Sequence, residues 1–196
     1  MRKTFREVAN LAIGMYGFSM PQHRDPGLEA TVYFKPEQST YASSSHVAEV
    51  EVDIETGQVK IRRFIVSHDC GRIINPLIVE GQVVGGVAHG LGNALLERLV
   101  HDDNATPVST SFAEYLMPMA TDMPDRVELL HTETPSPLNP LGVKGAGEGG
   151  TIAAIAAIVG AIENALSPFG VRISETPVSP QRIVQLVQAT RAARAS

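Results

Sequence analysis

The chain has 196 residues, 43% of them hydrophobic and 19% charged, and a formal net charge of −5. It is long enough for one packed domain or for part of a larger one, and too apolar for a disordered chain. The acidic balance offers no basic stripe to neutralise phosphates, so nucleic acid is not an expected partner, and the single cysteine, Cys70, rules out an internal disulfide or a thiol cluster for an iron–sulfur centre.

The start, Met1 to Arg6, is basic, but Glu7 and Asn10 interrupt the apolar stretch after it, so a secretory signal peptide is not expected. No apolar run approaches the roughly eighteen residues that a membrane span needs, and the expected compartment is the cytoplasm. From Pro21 to Tyr41, Pro21, Pro26, Gly27 and Pro36 interrupt a segment poor in apolar residues. Residues 1–45 therefore read as an irregular N-terminal segment continuing an upstream region, and 46–196 as the domain proper. Ala48, Val50, Val52 and Ile54 alternate with Glu49, Glu51 and Asp53, the period of a half-buried strand. Gly57 suits the positive-φ position of a hairpin turn, and Val59, Ile61, Phe64 and Val66 form the returning strand.

Asn75-Pro76 is a helix start, an N-cap followed by proline at the first helical position, and the helix is expected from about Leu77 to Val100. Gly81, Gly85, Gly86, Gly90 and Gly92 lie inside it and cost roughly 4–5 kcal/mol relative to alanine. Their spacing admits two readings: tight packing of the helix on its neighbours, or close approach of a bulky ligand. Phe112–Met117 and Arg126–His131 read as short strands. Prolines at 135, 137 and 140 hold the next stretch extended, ahead of the loop Gly145-Ala146-Gly147-Glu148-Gly149-Gly150. Thr151 to Leu166 is an apolar helix with Ile152, Ile155, Val159, Ile162 and Leu166 on one stripe. A last helix, Gln181 to Ala193, carries Arg191 and Arg194 toward its C-terminal end.

The loop at 145–150 fits G-x-G-x-x-G and opens a helix, but a dinucleotide site needs a strand before the first glycine, and the approach here is proline-rich. Backbone N–H groups at the helix start suit an anion, and Lys144 adds a positive charge beside them. Glu148 is the one carboxylate from Thr134 to Gly150. On so bare a loop it can be reached by a ligand as a general base, or it can simply complement the helix dipole. His68 and Cys70 share a strand face, which fits a packed strand end better than a Cys–His pair. His89 reads as a packed or surface side chain. The histidines lack H-E-x-x-H spacing and no serine elbow is present, so a protein-ligated metal or a serine hydrolase is not expected.

Taken in order, His46-Val47-Ala48-Glu49-Val50-Glu51-Val52-Asp53 with Thr56-Gly57, Asp69-Cys70-Gly71 with Asn75-Pro76, Gly81-Gln82 with Gly85-Gly86, Gly90-Leu91-Gly92 ahead of Glu97, and Pro137 through Gly150 resemble the xanthine dehydrogenase/aldehyde oxidase family of molybdenum hydroxylases. The details are most similar to its bacterial separate-subunit branch, which includes carbon monoxide dehydrogenase-like proteins. The resemblance implies an α+β fold, a mixed sheet with packed helices, forming the C-terminal molybdopterin-binding domain. It implies Glu148 as the general base of a hydroxylation that takes its oxygen from water, on an aldehyde, N-heteroaromatic or carbon monoxide-type carbon. Gln82, Lys144, Gly145, Ala146 and Gly147 would line the cofactor, a molybdenum–pterin group in its cytosine dinucleotide form, whose metal is held by the pterin and needs no protein ligand. Implied partners are the missing N-terminal part of the molybdenum subunit and subunits carrying iron–sulfur clusters and FAD, with the isolated chain inactive. The alternative is a non-catalytic fragment or assembly subunit that keeps the fold without cofactor.

Overall fold

The computed structural model describes residues 2–14 and 26–195. They fall into two compact units, Met1–Glu37 and Gln38–Ser196. In the first unit, helix α1 (Phe5–Ile13) starts on a reciprocal cap between Thr4 and Glu7 and ends at Gly14 in the left-handed conformation. The expectation of an irregular 1–45 segment is thus corrected: a Thr-x-x-Glu box satisfies the first free N–H groups and nucleates a helix. Of the stretch expected to be irregular from Pro21, positions 21–25 lie outside the described residues, and 26–41 contain neither helix nor strand.

The second unit is built on a mixed sheet. Strand β1 (Ser43–Val52) pairs antiparallel with β2 (Val59–Asp69), which pairs parallel with β3 (Val127–His131), in the order β1-β2-β3. Ser44, His46, Ala48, Val50 and Val52 face inward on β1 while the residues between them are exposed, as alternation requires. On β2 the inward residues are Ile61, Phe64, Val66 and His68. The jump from Ile61 to Phe64 is a bulge: Arg63 pairs with Glu49 and Ile61 with Val50, leaving Arg62 as the extra residue. Arg62 turns outward to Glu51 and to Asp125 at 3.1 Å. The hairpin turn places Gly57 at φ 74°, and a side chain there would also overlap the Pro180 carbonyl.

Helices α2 (Pro76–Leu95), α3 (Ile152–Ala165) and α4 (Pro180–Ala195) complete the unit, with α3 packed on both β1 and α2. The core joins Phe64 and Val66 from the sheet, Val83, Val87 and Leu91 from α2, Ile158 and Ile162 from α3, and Ile183 and Val187 from α4. Asn75 caps α2, accepting from Ile78 N at 3.4 Å. The helix stops at Leu95 rather than Val100, because the Leu96 and Glu97 amides both fold back onto the Gly92 carbonyl, at 2.9 and 2.8 Å. The buried stripe of α3 is Ala154, Ile158 and Ile162, continued by Leu166, while Ile152 is 69% exposed. The stripe expected to begin at Ile152 is rotated. Phe112–Met117 is not a strand: Ser111 and Glu114 close a turn, with the Ser111 amide donating to the Glu114 carboxylate and the Tyr115 amide to the Ser111 carbonyl. Arg191 on α4 lies 5.2 Å from the Phe169 ring centroid. Among the described residues no helix is long and apolar enough to cross a membrane.

Candidate functional site

The loop at 145–150 is fastened before it begins. Asn139 clamps the proline-rich turn, donating from Nδ2 to Val143 O at 2.8 Å and accepting from Val143 N at 3.0 Å. Gly71, just past β2, bridges to Val143, and Lys144 N donates to Cys70 O at 2.8 Å. Gly145 N then donates to Thr40 O at 3.2 Å. At the far end the Glu148 carbonyl accepts from Thr151 N and Ile152 N, at 3.0 and 3.3 Å, so Glu148 heads the turn that becomes α3. No side chain caps α3.

Missing β-carbons set how close this turn comes to α2. A Cβ on Gly150 would overlap the Val83 carbonyl, and one on Gly86 would stand 2.7 Å from the Gly150 backbone. One turn on, a Cβ on Gly90 would meet the Ala154 methyl at 2.5 Å. Gly86 and Gly90 therefore answer to the tight-packing reading. Gly81 and Gly85 do not: a Cβ on either meets nothing within 4 Å. Between them stands Gln82, exposed, with its Nε2 3.9 Å from where a Gly147 Cβ would be. The structure thus brings Gln82 to Gly147, whose chain neighbours are the exposed Glu148 and the half-buried Ala146.

Lys144 is placed differently. Its ammonium pairs with Asp69 at 3.3 Å, the two side chains 16% and 12% exposed, so its charge is neutralised instead of standing free beside the loop. Burial pushes the Asp69 carboxyl up, but the Thr134 hydroxyl and amide, the Gly71 amide and Lys144 outweigh it and hold the group well below the usual carboxylate range. Burial pushes the neighbouring Cys70 thiol up. Glu148 is exposed, so this chain does not itself surround that carboxylate with apolar groups.

Sequence reasoning missed the floor of the site. Register pairs His46 with Val66 and His68 with His131, so all three histidines share the inward sheet face. His46 Nε2 donates to Gly149 O at 3.0 Å, and His46 stands edge-on to Phe64 with ring centroids 5.6 Å apart. His68 is 1% exposed, and a Cβ on Gly149 would overlap its Nε2. His68 and His131 meet edge to face at 6.1 Å. Desolvation lowers the pKa of His46, partly offset by the Gly149 carbonyl; desolvation and then His131 and His46 lower that of His68, against the pull of Asp69. The signal was present in the strand alternation, which puts positions 46 and 68 on the buried face. Among the described residues no three His, Cys, Asp or Glu side chains are grouped to hold a metal.

A family model described as a molybdopterin cofactor-binding domain matches residues 1–124. The nicotine 6-hydroxylase large subunit of Paenarthrobacter nicotinovorans is 41% identical over 91% of this chain and 22% of its own length. The chain thus spans about a fifth of that relative. Of solved structures, quinoline 2-oxidoreductase from Pseudomonas putida 86 superposes with a TM-score of 0.80 at 42% identity, over 86% of this chain and 21% of that one. Carbon monoxide dehydrogenase from Oligotropha carboxidovorans superposes with a TM-score of 0.86 at 31% identity, over 97% of this chain and 23% of that one.

Proposed function

The chain belongs to the molybdopterin cofactor-binding domain family, and from that premise we propose that it is the part of a molybdenum hydroxylase large subunit that lines one side of the cofactor and presents Glu148 to the substrate. The observation that carries this reading is the open corner where Gln82 reaches Gly147, where a Cβ on Gly81 or Gly85 would meet nothing within 4 Å, and where Glu148 is exposed. The residues fit such a group. The corner offers an uncapped helix start, an exposed amide and an exposed carboxylate, and a metal carried by a pterin asks for no protein ligand. Gln82 and the backbone of Gly145, Ala146 and Gly147 would hold it, with Lys144 fixing the loop's approach through Asp69.

When bound, the molybdenum–pterin group would supply the two-electron acceptor for the hydride that leaves the substrate carbon as a water-derived oxygen adds to it. Glu148 would take the proton that oxygen must lose, on one of its carboxylate oxygens. Identities of 41% and 42% with proteins named for nicotine and quinoline, against 31% for carbon monoxide dehydrogenase, favour a ring carbon of an N-heteroaromatic substrate. The remainder of the large subunit and subunits carrying iron–sulfur clusters and FAD complete the enzyme, in the cytoplasm. Co-expression with those subunits should return molybdenum bound to the complex by elemental analysis. Glu148→Gln should keep the metal and lower turnover by about 10²–10⁴. Substantial turnover in that variant removes Glu148 as the base, and a complex that never carries molybdenum leaves the non-catalytic reading in place.

A further inference from the structure

The three histidines on the inward sheet face take no part in the proton transfer to Glu148, yet two of them touch the residue next to it in the chain, Gly149. A carbonyl only accepts, so the 3.0 Å contact to Gly149 O requires that His46 carry its proton on Nε2. His46 Nδ1 is then a bare acceptor, and like both ring nitrogens of His68 and of His131 it is buried with no hydrogen-bond partner among the described residues. From the other side the edge of His68 occupies the space where a Gly149 side chain would lie. The Glu148–Gly149 turn is therefore held by a hydrogen bond from β1 and a ring edge from β2, while Gly150 is locked onto Val83 of α2.

We propose that His46 and His68 are positioning residues: as neutral rings they seat the Glu148–Gly149 turn and so set where the Glu148 carboxylate stands. The requirement for neutrality is geometric. A second proton on His46 or His68 would sit on a buried nitrogen that has no acceptor. The groups facing His68 are His131 from β3, His46 from β1 and Asp69 on its own strand, and Asp69 is already engaged by Lys144, Thr134 and Gly71. His46 faces the Phe64 ring and the Gly149 carbonyl.

The seating itself is independent of any cofactor, and only its catalytic consequence rests on Glu148 being the base. The test begins with the full chain labelled with ¹⁵N. His46 should show the Nε2–H tautomer, and both His46 and His68 should stay neutral at a pH of about 6, where an ordinary histidine is largely charged. His46→Leu should shift the amide signals of residues 148–151 and speed their exchange by about tenfold, the loss of one net hydrogen bond, while His46→Gln, which keeps a side-chain N–H, restores them. In the assembled complex His46→Leu should lower kcat about 10- to 100-fold with little change in KM and with molybdenum retained, and His46→Gln should recover most of it. Unchanged amides in His46→Leu, or a His46 charged at that pH, overturn the proposal. Should the amides move and recover while kcat stays level in the His46 variants, the positioning claim falls if Glu148→Gln still lowers turnover, and the reading of Glu148 as base falls if it does not.

Discussion

The ion pair between Asp69 and Lys144 ties the end of β2 to the last residue before the loop, and both side chains are largely shielded from water. Removing one partner of such a pair strands the other, so Lys144→Met should cost on the order of 3 kcal/mol at neutral pH, read from urea unfolding. The pH dependence has a definite sign. Folding lowers the Asp69 pKa, so its contribution is fully present above the unfolded value of about 4 and is lost as pH falls below it toward the folded value. Stability should therefore fall below about pH 4, and Asp69→Asn should flatten that fall. An acid limb identical in both proteins removes Asp69 as its source. This pair also marks what a sequence conceals at this scale. Lys144 reads as a free cation beside a glycine loop, because nothing in the local sequence connects it to a carboxylate 75 positions away. His46 and His68 escape a motif reading for a related reason: they lack metal-ligand spacing, and what joins them is a strand register and a shared contact with Gly149.

At the scale of elements, the glycines of α2 separate into two sets with opposite expected behaviour. Gly86 and Gly90 lie against Gly150, Thr151 and Ala154, and Gly86→Ala would drive a methyl into backbone, costing about 1–3 kcal/mol. Gly81 and Gly85 face open space, so alanine at either should stabilise the isolated chain by about 0.5–1 kcal/mol through helix propensity alone. If the corner receives a cofactor, the same substitutions should reduce the molybdenum retained by the assembled complex. Thermal unfolding and metal analysis of the three single variants test both halves; stabilisation at 81 and 85 with undiminished metal would argue against a ligand there. The hairpin was legible because half-burial imprints a period of two on β1, and even the bulge shows as the spacing from Ile61 to Phe64. The phase of α3 was not legible. Apolar size points to Ile152, but the face that meets Gly86 and Gly90 must be small, so Ala154 is the buried residue and Ile152 turns outward. Phe112 to Met117 has the composition of a strand but no neighbour to pair with, and a Ser111–Glu114 turn takes its place.

For the whole molecule, the question is what covers the corner at 82 and 148. Ile74, Leu77 and Ile78, at the start of α2, are 63%, 78% and 62% exposed, and Leu141 and Ile152, which flank the loop, are 58% and 69% exposed. These side chains stand at the start of α2 and on either side of the loop in sequence, at exposed positions where a stable monomer would ordinarily place polar groups. Relatives of this chain are about five times as long, and we propose that further chain of that kind covers this face. The fold class was legible without that chain, since the sheet and its three helices bury a core of their own. Of the proposed site, Glu148 and Gln82 were legible in the ordered sequence motifs, while the histidines that strand register brings beneath the loop were not. The isolated chain should therefore bind a hydrophobic dye and self-associate as concentration rises, by an amount that Leu77→Ser with Ile78→Ser reduces without lowering the unfolding temperature, since neither side chain contributes to the core. Co-expression with the rest of the large subunit should suppress dye binding to the same degree. A chain that stays monomeric and dye-free when alone would mean that these residues are tolerated at a free surface and that the open corner is not part of a larger interface.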